Sequence, residues 1–286
     1  MPCNHCQSTV FTPLFTLKGY DLVRCVDCGL AYVSNPPSAE ELKRIYSAES
    51  NYHVQLHDPA SETWRSFEAL AQKHMAFVRQ QTGSGPVLDV GCSTGHFLAA
   101  ARAQGFEVEG AEFSADSARV AREHFGLTVT EGSVHQVSAA PGSFDLVTMF
   151  DVIEHVPDPA ADIAAVWQLL KPGGWFVLST PNIDGLFPRL SLPLAKALGH
   201  WPHPEPPHHL YQFSVRTLAA MLEKGGFVPG AVSHTRIPLS YTFGSPAVLA
   251  RSPKRAAYAA LFAPLALAGP WIGQGDWFYI AARKPA

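Results

Sequence analysis

Clusters of positive charge are missing from this sequence. Its 21 Lys and Arg are scattered among 24 Asp and Glu, for a formal charge of −3, so nothing pulls it generally towards nucleic acid or an anionic membrane. Long uninterrupted apolar runs are missing as well. The most apolar stretch, Ala256 to Ile272, is uncharged but broken by Pro264 and Pro270, too short and too interrupted for a membrane span. A buried or oligomer-facing helix is the expectation there, with peripheral membrane contact as the minority alternative. The first residues show neither the basic start nor the apolar run of an export signal, and a cytoplasmic location is expected. No internal repeat is visible. Cysteine is scarce too, at five residues.

Four of those five form two Cys-x-x-Cys pairs, Cys3/Cys6 and Cys25/Cys28. Two such knuckles supply four thiolates, the donor set of a structural zinc with no open coordination position. The intervening Ser8 to Arg24 alternates enough to make a hairpin that joins the pairs. Four free thiols or a redox pair are the alternatives. A closed site of this kind staples a small module and catalyses nothing. Residues 1–35 are therefore read as a zinc-ribbon-like module and 36–82 as a helical lead. In that lead Ser38 with Glu41 can cap a helix over Ala39–Ser47, Tyr46 and Tyr52 follow, and Ala60–Gln81 is amphipathic. His74 on that helix reads as an interior residue. Residues 83–286 form the main domain.

That domain is organised around Val87-Leu88-Asp89-Val90-Gly91-Cys92-Ser93-Thr94-Gly95-His96, a buried strand, a glycine turn and the start of a helix. Such a turn sets backbone N–H groups and a positive helix end beside bare backbone, where part of a nucleotide-like ligand can rest. A second strand, Glu107–Glu112, ends in a carboxylate suited to accept from a ribose diol. Phe144–Phe150 is another buried strand, followed by Asp151-Val152-Ile153-Glu154-His155. Leu170-Lys171-Pro172-Gly173-Gly174 then opens a further strand. A nicotinamide-binding sheet also carries an acid near the Glu112 offset, so that carboxylate alone does not say which nucleotide-like ligand is held.

Together these segments resemble class I S-adenosylmethionine-dependent methyltransferases, over about Val87 to Phe227. The resemblance implies an α/β fold, a doubly wound, mostly parallel seven-stranded sheet of Rossmann-like type. It implies that Asp89, Gly91, Ser93 and Gly95, with Cys92, hold the methionine end of S-adenosylmethionine and that Glu112 holds the ribose, beside Phe113. Ser133 and Val134 would flank adenine, and Phe150, Asp151 and Val152 would wall the pocket. The sequence departs from the family pattern at Ser93, where a glycine is usual, and at Ser133, where an acid is usual.

Beyond the fifth strand of that sheet lies an insertion, Pro181–Phe213, whose part 183–213 reads as a lid. Its apolar residues with Trp201 would suit an apolar substrate, and its four histidines, separated by prolines, lack a metal-binding register. His208-His209-Leu210-Tyr211-Gln212-Phe213-Ser214 resembles the family's Pro-x-His-x-x-x-Phe-Ser segment, which puts a histidine over the methyl donor. His155 with its neighbour Glu154, or His208 or His209, is therefore the expected base; the bland alternatives are a helix start at Glu154-His155 and loop capping at His208-His209. The reaction implied is methyl transfer to a small, partly apolar acceptor, most simply a hydroxyl of lipid, quinone, polyketide or sugar type. An RNA-modifying enzyme gripping its substrate with the zinc ribbon, a sugar C-methyltransferase and an inactive cofactor-binding module stay open. The sequence leaves the oligomeric state open.

Overall fold

The computed structural model describes residues 1–38, 40–42, 58, 60–198, 201 and 203–286. They separate into two compact units: Met1–Pro36 with Ser179–Met221 and Val232–Ile280, and Pro37–Leu178 with Leu222–Ala231 and Ala281–Ala286.

The second unit is built on a seven-stranded sheet. Its strands are β4 (Pro86–Val90), β5 (Glu107–Glu112), β6 (Thr128–Glu131), β7 (Phe144–Phe150), β8 (Leu170–Pro181), β10 (Val228–Thr235) and β11 (Trp277–Arg283), in the order β10-β11-β8-β7-β4-β5-β6. β8, β10 and β11 continue past the unit's boundary along the chain. β4 runs parallel to both β5 and β7, and β5 parallel to β6. β11 is antiparallel to β8: Lys284 N–H donates to the Gly174 carbonyl at one end, and Asn182 N–H to the Asp276 carbonyl at the other. The order reverses at β4, with β5 on one side and β7 on the other. In open α/β sheets the ligand binds at the carboxyl edge of such a switch point.

Local sequence explains the connecting helices. α1 (Glu62–Val78) starts at Ser61, whose hydroxyl accepts from Trp64 N–H, and it buries Trp64, Ala71, His74, Met75, Phe77 and Val78 at helical spacing. α2 (His96–Ala103) follows the glycine turn. α3 (Ala115–Phe125) is capped by Ser114 and ended by left-handed Gly126, as its sequence predicts. α4 (Pro159–Leu169) has Asp158 at its cap, and its last carbonyls receive the Lys284 ammonium, which donates to Trp167 and Leu170. The cap predicted at Ser38 is present, with Glu41 N–H on the hydroxyl and Ser38 N–H on the carboxylate. Most of the helix expected over Ala39–Ser47, with Tyr46 and Tyr52, lies outside the described residues.

The first unit holds a four-stranded sheet of β1 (Phe11–Leu17), β2 (Tyr20–Cys25), β3 (Ala31–Val33) and β9 (Tyr211–Gln212), in that order. The β1–β2 hairpin turns at Lys18 and Gly19, both at positive φ (53° and 83°), the pairing a two-residue hairpin loop needs. Pro181–Phe213 is not one long loop. It contains α5 (Leu186–Leu198) and strand β9, which pairs with β3. Trp201, expected to face a substrate, is a core residue: it is buried with Phe15, Leu22, Ala31, Ile183 and Ala195. Its ring meets Phe15 edge-on at 5.8 Å and its indole N–H donates to Ser191. Burying so large a ring together with a satisfied N–H outweighs any exposed use. A second core gathers Phe187 of α5, Phe243 of α7 (Leu239–Phe243) and Ala259, Phe262 and Ala266 of α9 (Pro253–Ala268). Between α7 and α9 lies the short α8 (Pro246–Arg251), and α6 (Val215–Lys224) precedes β10.

Candidate functional site

Because β4, β5, β6 and β7 are parallel, their last residues share one edge of the sheet. Gly91–Gly95, Glu112, Gly132–Val134 and Asp151–His155 all follow from that edge. The glycine turn is tied to β5 by Gly91 N–H and Cys92 N–H, both donating to the Ala111 carbonyl. Gly91 and Gly95 lie at φ 75° and 86°, and the space a Cβ would take is already filled, by Val152 at Gly91 and by Leu127 and Ala121 at Gly95. Ser93 stands at φ 50° and Asp151 at φ 57°, left-handed positions that side chains other than glycine adopt at a cost of about 1–2 kcal/mol. Backbone strain of this kind collects at functional sites.

Two buried carboxylates sit at this edge. Asp89, on β4, accepts a 2.6 Å hydrogen bond from the Thr148 hydroxyl on β7, across the switch point. Burial pushes its pKa up to about 7; the Thr148 bond lowers it and the nearby Glu112 raises it further. Glu112 accepts from Ser93 N–H at 2.8 Å and Ser114 N–H at 2.7 Å. Those bonds favour the charged form, but burial is the larger effect and raises its pKa. Thr148 was not foreseen. Its position opposite Asp89 follows from the parallel register, and strand alternation alone carried no sign of it.

The aromatic wall is equally specific. Phe150 stacks on His74 at 4.0 Å and 6°, and meets Phe97 edge-on at 4.9 Å. His74 is interior, as expected, and burial lowers its pKa to about 3, so it is neutral. Phe113 follows Glu112 and is 60% exposed, an uncovered ring at the strand's end. Ser133 caps the 3₁₀ turn Val134–Gln136, its hydroxyl donating to Gln136, and the Val134 side chain is buried.

Glu154 is buried and His155 half-buried. Both lie in a turn closed by His155 N–H on the Val152 carbonyl, and α4 begins only at Pro159. They do not start a helix. His208 and His209 belong to the first unit, where both N–H groups close a turn on the Glu205 carbonyl. The Glu205 carboxylate lies 4.0 Å from the His209 ring and accepts from the Tyr241 hydroxyl.

The four cysteines of the first unit converge. Cys3 and Cys28 Sγ are 3.5 Å apart, Cys6 and Cys25 3.4 Å, and all four sulfurs lie within 4.8 Å of one another. Sulfurs held about 2.3 Å from a central zinc in a tetrahedron would stand about 3.8 Å apart. Backbone N–H groups of His5 and Cys6 point at Cys3, and those of Asp27 and Cys28 at Cys25. Burial pushes the Cys3 thiol up; at Cys25 burial also acts upward, but the Cys28 and Asp27 N–H groups together with the neighbouring Cys6 and Cys28 sulfurs bring it down to about 7. N–H groups directed at sulfur are the surroundings a metal-bound thiolate uses. The donor set fits zinc.

The edge also fits a sulfonium nucleoside. Asp89 and Glu112, ionised, are acceptors only, matching an α-ammonium and a ribose diol, and two buried carboxylates gain most from a cationic ligand. A parallel sheet reversing at β4, an antiparallel β11 and paired acids at the carboxyl edge define the Rossmann-like methyltransferase fold. A family profile described as "Methyltransferase domain" matches residues 61–229, and the chain belongs to that family. It is similar to a ubiquinone biosynthesis O-methyltransferase from Thiobacillus denitrificans, 42% identical over 102 residues, 34% of this chain and 44% of that protein. One from Bordetella bronchiseptica is 35% identical over 134 residues, 44% of this chain and 55% of that protein. The chain thus spans about half the length of these curated relatives. Among solved structures, a SAM-dependent methyltransferase from Thermotoga maritima matches with TM-score 0.52 at 18% identity, over 85% of this chain and 99% of that one. The [4+2]-cyclase SpnF matches with TM-score 0.56 at 16% identity, over 88% and 98%. These likenesses show the fold. No helix among the described residues is long and apolar enough to cross a membrane.

Proposed function

We propose that the chain transfers a methyl group from S-adenosylmethionine to a hydroxyl oxygen of a small molecule, and that Cys3, Cys6, Cys25 and Cys28 hold a structural zinc. The observation that carries the first part is the pair of buried carboxylates, Asp89 and Glu112, at the switch point of the sheet. When bound, the sulfonium supplies an electrophilic methyl carbon with a good leaving group. The protein's task is then alignment and removal of one proton. Asp89 takes the α-ammonium beside the turn Gly91-Cys92-Ser93-Thr94-Gly95, and Glu112 takes the ribose hydroxyls. Phe113 and the backbone at Ser133-Val134 flank the base. Val152 and Asp151, with Phe150 braced on His74, wall the reacting end.

His155 is the proposed base. It stands on the same edge as the two acids, next to the buried Glu154, and imidazole exchanges protons near neutral pH. His208 and His209, from the family-like segment, are the other proposed bases. The named activity of the relatives, ubiquinone biosynthesis O-methyltransferase, supports a phenolic or enolic hydroxyl as acceptor.

The test is incubation with isotopically labelled methyl donor and a panel of catechols, phenols and sugars, read by product mass. A labelled O-methyl ether supports the proposal, and loss of turnover by about a hundredfold or more in His155→Ala with unchanged donor affinity supports His155 as base. Donor binding without transfer to any acceptor would count against it, and a rearranged unlabelled product would place the chain with fold neighbours of other chemistry.

A further inference from the structure

Helix α9 and the 3₁₀ turn after it present two different faces. Ala259, Phe262 and Ala266 are buried against Phe187 and Phe243. On the opposite side, at three- and four-residue spacing, Ala257, Leu261, Pro264 and Ala268 are exposed, and the turn ends in Trp271. Trp271 is 89% exposed, Leu261 59%, Ile272 58% and Leu267 40%. An isolated surface leucine needs no explanation, but a contiguous apolar strip ending in a bare indole does.

Charge says what covers it. From Ile237 to Gly275 the chain has no Asp or Glu, and its charged side chains are Arg251, Lys254 and Arg255, in a protein of net charge −3. All three are exposed, and none enters an ion pair among the described residues. They gather at the amino end of α9 and at the end of α8 before it, with the apolar strip running on from them to Trp271. An outward helix face that is apolar, bordered at its amino end by cations, free of acids and tipped by a tryptophan suits the surface of an anionic bilayer. Indole prefers that interface because its ring is apolar and its N–H polar.

We propose that this face of α9, tipped by Trp271 and Ile272, docks on the surface of an anionic lipid bilayer. Arg251, Lys254 and Arg255 meet the headgroup phosphates, while Leu261, Leu267, Trp271 and Ile272 enter the headgroup–acyl boundary. The docking is peripheral and reversible, and it is independent of which acceptor is methylated. A second copy of the chain is the competing occupant. The absence of acids disfavours it, since two such faces would bring like charges together.

Flotation of the full chain with vesicles tests this. Vesicles of phosphatidylcholine with phosphatidylglycerol are expected to carry the protein, more at low salt than at high, and phosphatidylcholine alone to carry little. Lys254→Glu with Arg255→Glu is expected to weaken binding at least about tenfold, and Trp271→Ser about tenfold. Both variants should bind S-adenosylmethionine as the wild type does. Failure to float with anionic vesicles, or flotation indifferent to both variants, overturns the proposal. So does a concentration-dependent dimer that Trp271→Ser dissolves in a protein that binds no vesicles.

Discussion

The two units carry opposite kinds of tension. In the second, the sheet edge holds two carboxyl groups with no ion-pair partner among the described residues: Asp89 and Glu112 are buried and their pKa values raised, and Ser93 and Asp151 are left-handed. In the first, the cores are ordinary apolar packing, and the tension is four sulfurs crowded around a point. A reversible cationic ligand suits the former, since the gain must be recoverable on release. A closed tetrahedral metal suits the latter, since it need never leave. A cofactor crevice and a structural staple differ in that respect, although both are clusters of polar groups that the polypeptide alone leaves unfinished.

If the difference is real, removing the metal should have the largest effect. Cys25→Ser, or exhaustive chelation, is expected to lower the melting temperature by more than about 10 °C, because structural zinc contributes several kcal/mol to folding. Metal analysis should find one zinc per wild-type chain. A metal-free protein with an unchanged melting curve would mean that the sulfurs are merely close.

Asp89→Asn should separate function from stability in the second unit. The Asp89 pKa is about 7 in the folded chain and about 3.9 unfolded. Its contribution to ligand-free stability is therefore full below pH 4 and is lost as pH rises through 7. The amide removes that loss, so the variant should be more stable than wild type at pH 8, by about 1–2 kcal/mol, while binding the methyl donor poorly. Wild-type donor affinity should fall as pH drops below 7, when the carboxylate takes a proton. Denaturant titrations and calorimetry across that range check both signs. A stability curve for wild type and variant that stays parallel from pH 5 to pH 8 would remove Asp89 from this account.

The smallest effect expected is at Ser93. Glycine there relieves the left-handed strain but loosens the unfolded chain. A net gain of about 0.5 kcal/mol is expected, with donor affinity nearly unchanged because Ser93 N–H still reaches Glu112. A loss of stability would indicate that the serine hydroxyl has a role of its own.

Much of this was legible in the residues. Helix α6 and strand β10 sit between plain sequence punctuation, Ser214 as the helix start and Gly225-Gly226 as its stop. The Cys-x-x-Cys pairs announce their convergence because thiols at that spacing have few other uses. The insertion was harder. Its length suggested a lid, yet α5 runs through it with Pro193 in its interior, since its apolar face against the hairpin outweighs the local cost. Trp201 was misjudged for the same reason: burial is decided by a partner far away in sequence, here Phe15. Thr148 and the His74–Phe150 stack are contacts between elements and leave no periodic trace. The face of α9 was half-legible. The uncharged run from Ala256 to Ile272 is plain in sequence, but only the structure shows which side is exposed.

The claim beneath the rest is that Glu112 grips the sugar of a sulfonium nucleoside at the carboxyl edge of β5. Titration calorimetry with S-adenosylmethionine, comparing wild type with Glu112→Gln at pH 8, addresses it most directly. The account predicts one donor bound per wild-type chain and an affinity at least about thirtyfold weaker in the variant, the loss of a charge-assisted pair of hydrogen bonds. Equal affinity in the two proteins, or no binding to the wild type, would contradict it.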